Sequence, residues 1–203
     1  MPVKKILSLF VLIFFSASGI VFSNEKVELT SLGNKDSKVI IKVFSSLTCP
    51  HCANFHKKIF KKLKQDFIDT NIVRYEHHGF PLDLAALNGE KILNCVQNGK
   101  KRIELLNEIY DKQDDWAGGS DINNINSNLS KIAKKHGLNN DRINNCLKDE
   151  NIENEILNER IMAQKKYSIE STPTIFINEK KYDGKHSYND FKKIIEKILK
   201  YEI

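Results

Sequence analysis

Proline and glycine are scarce in this chain, 4 and 9 of 203 residues, which excludes a collagen repeat and a low-complexity, disordered composition. Four cysteines are too few for a disulfide-dense mini-protein framework. Arginine is rarer still among the basic residues: 28 of the 32 are lysines, interspersed with acids rather than gathered in a patch. The net charge of +6 therefore reads as a lysine-rich solvated surface and implies no nucleic-acid partner. No internal repeat is visible. The chain has 40% hydrophobic and 29% charged residues, enough for a real core in one domain, with or without an insertion.

Residues 1–23 are set apart from the fold. Lys4 and Lys5 precede an apolar run from Ile6 to Phe15 broken only by Ser8, and small residues follow at Ser16, Ala17, Ser18 and Gly19. That order is the pattern of a cleavable secretory signal. Cleavage after Ser23 suits the small-side-chain positions, and a site near Ser18 is the alternative. An uncleaved anchor is the rival reading, although 17 residues diluted by Ser and Gly stand at the short limit for a span. No Cys stands just after the run, against a lipoprotein anchor. Removal takes away two lysines and no acid, lowering the charge from +6 to +4. The expected location is the periplasm, where disulfides persist.

Downstream, strand patterns lie at both ends with helical patterns between. Residues 38–44, β-branched and bounded upstream by Gly33-Asn-Lys-Asp36, predict a buried strand. Phe55, Ile59, Leu63 and Phe67, at helical spacing, predict a helix over residues 50–65. Residues 72–76 predict a second strand, ended by Gly79-Phe-Pro81. From 83 to 167 there is no convincing strand, only helical segments punctuated by Asn98-Gly99, Ala117-Gly-Gly-Ser120 and Gly137. Thr174–Ile177 predicts a further strand, 178–180 a hairpin turn, and 188–200 an amphipathic helix with Phe191, Ile194, Ile195, Ile198 and Leu199 on one stripe. The expected fold is an α/β sheet domain carrying a helical insertion.

The chemistry-bearing segment follows the first strong strand: Cys49-Pro50-His51-Cys52. Two Cys three apart at a helix start bring both sulfurs to one side of the first turn, close enough for a small disulfide ring. Cys49 falls where unpaired backbone N–H groups and the helix dipole favour an anion, which stabilises its thiolate. Pro50 suits the first turn because its missing N–H would be unpaired there anyway. His51 can add positive charge or a donor beside the sulfur. A dithiol whose reduced form is favoured passes its disulfide on readily. The alternative is half of a zinc site, but no second C-x-x-C or H-x₃-H supplies the other half. Cys95 and Cys146 would complete a Cys₄ site only if the helical block folded over the motif, and His56, a turn further on, is another candidate ligand. A purely structural Cys49–Cys52 bridge would constrain little chain.

Phe44-Ser-Ser-Leu-Thr-Cys-Pro-His-Cys-Ala-Asn-Phe55 resembles the active-site segment of the DsbA family of thioredoxin-fold oxidoreductases. Gly79-Phe-Pro-Leu-Asp83 resembles the lead into that family's helical insertion, and Thr172-Pro-Thr-Ile-Phe-Ile-Asn178 with Lys181-Tyr-Asp-Gly184 is similar to its cis-proline loop and last hairpin. The resemblance runs over about residues 30–200. It implies a thioredoxin-like domain of residues 24–82 and 168–203 with an all-helical insertion at 83–167. It implies Cys49 as the exposed nucleophile, Cys52 as its partner, and a cis Thr172–Pro173 bond facing them, where the Thr172 backbone can pair with an extended substrate segment. One departure stands out. Some members carry a buried acid on the strand before the motif, taken as a proton relay; here Val43 stands there, beside Lys42, and Glu28 or Glu76 is a candidate substitute.

Cys95 and Cys146 are expected to pair, an even count in an oxidising compartment inviting it, with two buried free thiols as the alternative. His77 and His78 are adjacent strand residues that face opposite ways and converge poorly on a ligand; a structural or exposed role is expected. Trp116 is expected to plug the core locally. The function expected is thiol–disulfide oxidoreduction: disulfide donation to reduced exported proteins, with no cofactor or metal beyond the Cys49–Cys52 pair. A monomer reoxidised by a membrane protein of DsbB type follows from the resemblance. A reductase or isomerase on the same fold is the alternative. A metal-binding C-x-x-C interaction protein is the other.

Overall fold

The computed structural model describes residues 28–201; the expected signal segment at 1–23 lies outside them. Strand β1 (Thr30–Leu32) is followed by β2 (Val39–Ser45), β3 (Val73–Gly79), β4 (Thr174–Ile177) and β5 (Lys180–Lys181). They form one sheet in the order β1-β3-β2-β4-β5. β2 and β3 are parallel, and the other three pairings are antiparallel. Strand periodicity of two sorts the side chains to the two faces. Val39, Ile41 and Val43 of β2, with Ile175 and Ile177 of β4, enter the main core, while Phe44 and Phe176 turn to a smaller cluster with Phe80 and Ile169. β1, unforeseen in the sequence, is three residues long and polar. It owes its conformation to pairing with Tyr75–His77 rather than to a local pattern.

Between β2 and β3 runs one helical rod: α1 (Pro50–Phe55), a π-helical stretch at His56–Phe60, α2 (Lys61–Leu63) and a second π-helical stretch at Lys64–Ile68. Its buried Phe55, Ile59, Phe60, Leu63 and Phe67 cover the sheet. The chain closes with α9 (Tyr188–Tyr201), which buries Phe191 and Ile195 against Phe55 and Tyr182.

Every element from β3 to β4 is helical: α3 (Leu84–Asn94), α4 (Gly99–Asp111), α5 (Gln113–Trp116), α6 (Ile122–Lys135), α7 (Asn140–Lys148) and α8 (Glu150–Tyr167). Asp, Asn, Asp, Asn and Asp at positions 83, 98, 121, 139 and 149 cap five of these helices by accepting backbone N–H bonds, which explains where they start. Leu105, Leu106, Ile109, Tyr110, Trp116, Leu129 and Ala133 join the same core cluster as the sheet's main face. Trp116 is fully buried, and its Nε1 donates to the Ile109 carbonyl at 2.8 Å.

Cys95, at the end of α3, is joined to Cys146 of α7 by a disulfide with a Cα–Cα distance of 6.2 Å and a sequence separation of 51. A loop of that size limits the unfolded chain by about 4 kcal/mol in the chain-entropy account. Replacing both cysteines with alanine is expected to lower stability by about 2–4 kcal/mol in equilibrium denaturation while leaving thiol exchange at Cys49 unchanged.

Candidate active site

Cys49 forms the N-cap of α1 in an extended conformation, Pro50 occupies the first turn, and Cys52 points inward from it. Cys49 is 8% exposed and Cys52 1%, both as free thiols. The preceding loop is fastened from several sides. Gln113 Nε2 donates to the carbonyls of Leu47 at 2.7 Å and Cys49 at 3.1 Å. Thr48 donates to one oxygen of Asp83 at 2.7 Å, while the other caps α3 through the Ala86 N–H. Gly89 allows α3 to approach this loop, because a Cβ there would come within 2.7 Å of Leu47. The helical insertion thus holds the turn that presents Cys49.

Thr172–Pro173 is a cis bond, and the Cys49 sulfur lies 3.3 Å from the Thr172 carbonyl oxygen, to which it donates only in its protonated form. This brings the loop before β4 against the cysteine pair, 123 residues away in sequence.

The two thiols are driven apart electrostatically. A hydrogen bond from the Cys52 thiol is the largest influence on Cys49. Burial opposes it, but the Thr172 hydroxyl and the backbone N–H groups of Cys52 and His51 add to it and hold Cys49 at about 5. Cys52 is pushed far upward, first by burial and then by the neighbouring Cys49. The arrangement therefore carries one thiolate and one thiol at neutral pH. His51 is exposed at the helix start. His186, which the sequence did not single out, lies within electrostatic reach of it. Burial, and secondarily His51, lower the His186 pKa.

His77 and His78 face opposite ways, as expected of strand neighbours. His78 stacks on Phe44 and pairs with Glu76 at 3.3 Å. Glu76 would be raised by burial, but hydrogen bonds from His78 and Arg74 outweigh it and hold the carboxyl at about 2. Glu28 pairs with Arg102 at 3.2 Å. The buried carboxylate on the active-site side of the sheet is a different one, Glu90 of α3, 2.9 Å from His77. Its register with His77, 13 residues away on another element, has no signature in the sequence. Val43, at the position where some family members carry an acid, is buried in the main core. His56 is buried too, 3.4 Å from the Tyr75 hydroxyl and stacked on Tyr110. Among the described residues no group of three or more His, Cys, Asp or Glu side chains is arranged to hold a metal ion.

The thioredoxin family profile matches residues 25–197, nearly the whole described chain. The chain belongs to the thioredoxin family. Its solved likenesses include DsbA proteins. The crystal structure of Wolbachia pipientis alpha-DsbA1 superposes with a TM-score of 0.80 at 27% identity, over 85% of this chain and 92% of that one. A Rickettsia bellii relative named as a protein-disulfide oxidoreductase is 30% identical over 83% of this chain and 63% of its own length. Disulfide bond formation protein D of Bacillus subtilis is 27% identical over 83% of this chain and 76% of its own. The chain spans about three fifths of the Rickettsia relatives' length. The fold is thus thioredoxin-like and of DsbA type, with α3 to α8 between β3 and β4.

Proposed function

We propose that the protein is a thiol–disulfide oxidoreductase that donates disulfides to reduced exported proteins through Cys49 and Cys52. The observation that carries this reading is the division of labour between the two sulfurs: both are buried, Cys49 less deeply than Cys52 but more than the exposed position expected of it, with Cys49 held as a thiolate at the helix start and Cys52 as a thiol behind it. A substrate thiolate attacks Cys49 of the oxidised pair. The Cys49–Cys52 bond breaks, a Cys49–substrate disulfide forms, and Cys52 departs with the electron pair and gains a proton. A second substrate thiolate then attacks the substrate sulfur, releasing Cys49 as its stabilised thiolate and leaving the substrate oxidised. Because Cys49 is a good leaving group, this last step is favoured, and disulfide flows outward.

Thr172 lies beside Cys49 with its backbone placed for an extended substrate segment, next to Pro173. Leu82 and Leu84, each more than half exposed, flank the Asp83 that is bonded to Thr48 and offer apolar surface to unfolded chains. The signal-like residues 1–23 support a periplasmic protein that meets such chains after export, and no helix among the described residues is long and apolar enough to cross a membrane. The reduced protein, acting as a monomer, passes its two electrons to a membrane acceptor of DsbB type.

The test is stoichiometric. Oxidised protein mixed with a reduced, unfolded two-cysteine polypeptide should form one intramolecular substrate disulfide per Cys49–Cys52 pair reduced. Efficient reduction of the substrate's disulfides by the dithiol form, with no net donation, would instead support the reductase or isomerase reading.

A further inference from the structure

The last helix buries only part of its apolar stripe. Phe191 and Ile195 of α9 are buried, Ile194 and Ile198 are half-buried, and Tyr201 is 74% exposed. Ile194 and Ile198, with Ile177 at the end of β4 and Tyr182 after β5, floor an open groove of about 410 Å³. Its rim is cationic. β5 contributes Lys180 and Lys181 to the lining, and α9 contributes Lys197 and Tyr201.

Charge is distributed one-sidedly around this groove. At about 3.6 residues per turn, exposed Lys193, Lys197 and Lys200 fall on the flank of α9 next to Ile194 and Tyr201. The acids of residues 177–201 are engaged elsewhere or lie off the groove. Glu179 pairs with Lys42, and Asp190 is bonded to the Ser187 hydroxyl at 2.6 Å. Glu196 falls on the opposite flank of α9, 3.8 Å from Lys192, and Asp183 is not among the groove walls. The chain's four arginines, Arg74, Arg102, Arg142 and Arg160, all lie outside this stretch. Lysine carries a compact point charge on a long apolar stem. That suits a dispersed layer of phosphates better than the planar, bidentate pairing by which arginine selects one carboxylate.

We propose that this groove and the last turns of α9 rest on the surface of an anionic phospholipid bilayer. Ile194, Ile198 and Tyr201 meet the boundary of the acyl chains, and the lysines lie among the headgroup phosphates. An apolar strip rimmed by lysines, with an exposed tyrosine at its edge, has the chemistry of a segment that lies in a membrane interface. A second copy of the chain fits the face poorly, because two lysine rims would be set against each other. The face is remote from the redox pair. β4 starts after the cis bond beside Cys49, and Ile177 is its last residue, about 13 Å further along. A chain docked in this way leaves Cys49 open to exported polypeptides. The proposal goes beyond the exchange reading and does not depend on it.

The experiment is co-sedimentation of the chain from Asn24, which contains the whole described fold, with vesicles of phosphatidylcholine alone or with about a third phosphatidylglycerol. Binding should be at least about tenfold tighter to the anionic vesicles, and should fall at least about tenfold between about 0.05 and 0.5 M salt. Lys193→Gln, Lys197→Gln and Lys200→Gln together should weaken it at least about tenfold. The same change at Lys131, Lys134 and Lys135, exposed on α6, removes equal charge and should leave binding within about twofold of native. Tyr201→Ser should weaken binding at least about threefold with no change of charge. All the substituted side chains are exposed, so thermal melts of the variants should match the native protein. Equal binding to both vesicle types, or equal weakening by the two lysine triples, would overturn the proposal. So would capture of an acidic, leucine-rich peptide without any binding to vesicles, or a dimer that only the α9 triple disrupts, since either gives the face to a protein.

Discussion

Replacing Cys49 with serine is expected to abolish disulfide exchange, a loss of more than about 10³-fold, the scale on which removal of a covalent nucleophile is felt. Replacing Cys52 is expected to do something different. The lone Cys49 still attacks disulfides but has no partner to release what it captures, so one mixed disulfide should accumulate per chain. Non-reducing mass spectrometry with a disulfide-containing peptide reads both outcomes. The same variants probe the electrostatics. The Cys52 thiol makes the largest contribution to holding Cys49 at about 5, so Cys52→Ala should raise the Cys49 midpoint, and Cys52→Ser, which keeps a hydroxyl donor, should raise it less. Equal midpoints in all three proteins would show that the N–H groups of the helix start, not Cys52, hold the thiolate.

The second large effect is on pH dependence. In the folded dithiol Cys49 ionises at about 5, against about 8.5 for an unperturbed thiol. A depressed acid stabilises the folded, reduced protein once pH exceeds the folded value, and that stability is lost as pH falls through about 5. Between about 5 and 7 the interval corresponds to about 2.7 kcal/mol, reduced by partial solvent screening at the helix start to about 1–2 kcal/mol. Cys52, raised in the fold, is a thiol in both states at pH 7 and adds nothing there. The reduced protein should therefore gain about 2–8 °C in Tm over the oxidised one on going from pH 4 to pH 7. Paired thermal melts of the two forms check it. A difference between them that is constant with pH would mean that Cys49 is an ordinary thiol.

The sequence carried the parts of the site that are contiguous and the parts of the fold that are periodic. Cys49-Pro-His-Cys52 declares a redox turn because four adjacent residues suffice. The stretch from 83 to 167 reads as helical because its apolar spacing repeats and its breaks carry Asn, Asp and Gly. Resemblance, not periodicity, supplied Thr172–Pro173. What stayed hidden is what tertiary packing creates. The polar β1 is a strand only because β3 offers an edge. Gln113 looks like any helix residue until its amide is seen holding the Leu47 and Cys49 carbonyls. Glu28 and Glu76, the nearest acids in the sequence, both sit in other ion pairs, and the carboxylate buried near the site comes from α3 as Glu90. Pairing between elements leaves no trace in local pattern.

The equilibrium redox potential of the Cys49–Cys52 pair against glutathione tests the account most directly, with the Cys95–Cys146 bridge tracked separately. Stabilisation of the Cys49 thiolate predicts a strongly oxidising couple, nearer about −120 mV than about −200 mV. A potential near about −270 mV, the range of a reducing thioredoxin, would contradict disulfide donation and turn the same residues into a reductase.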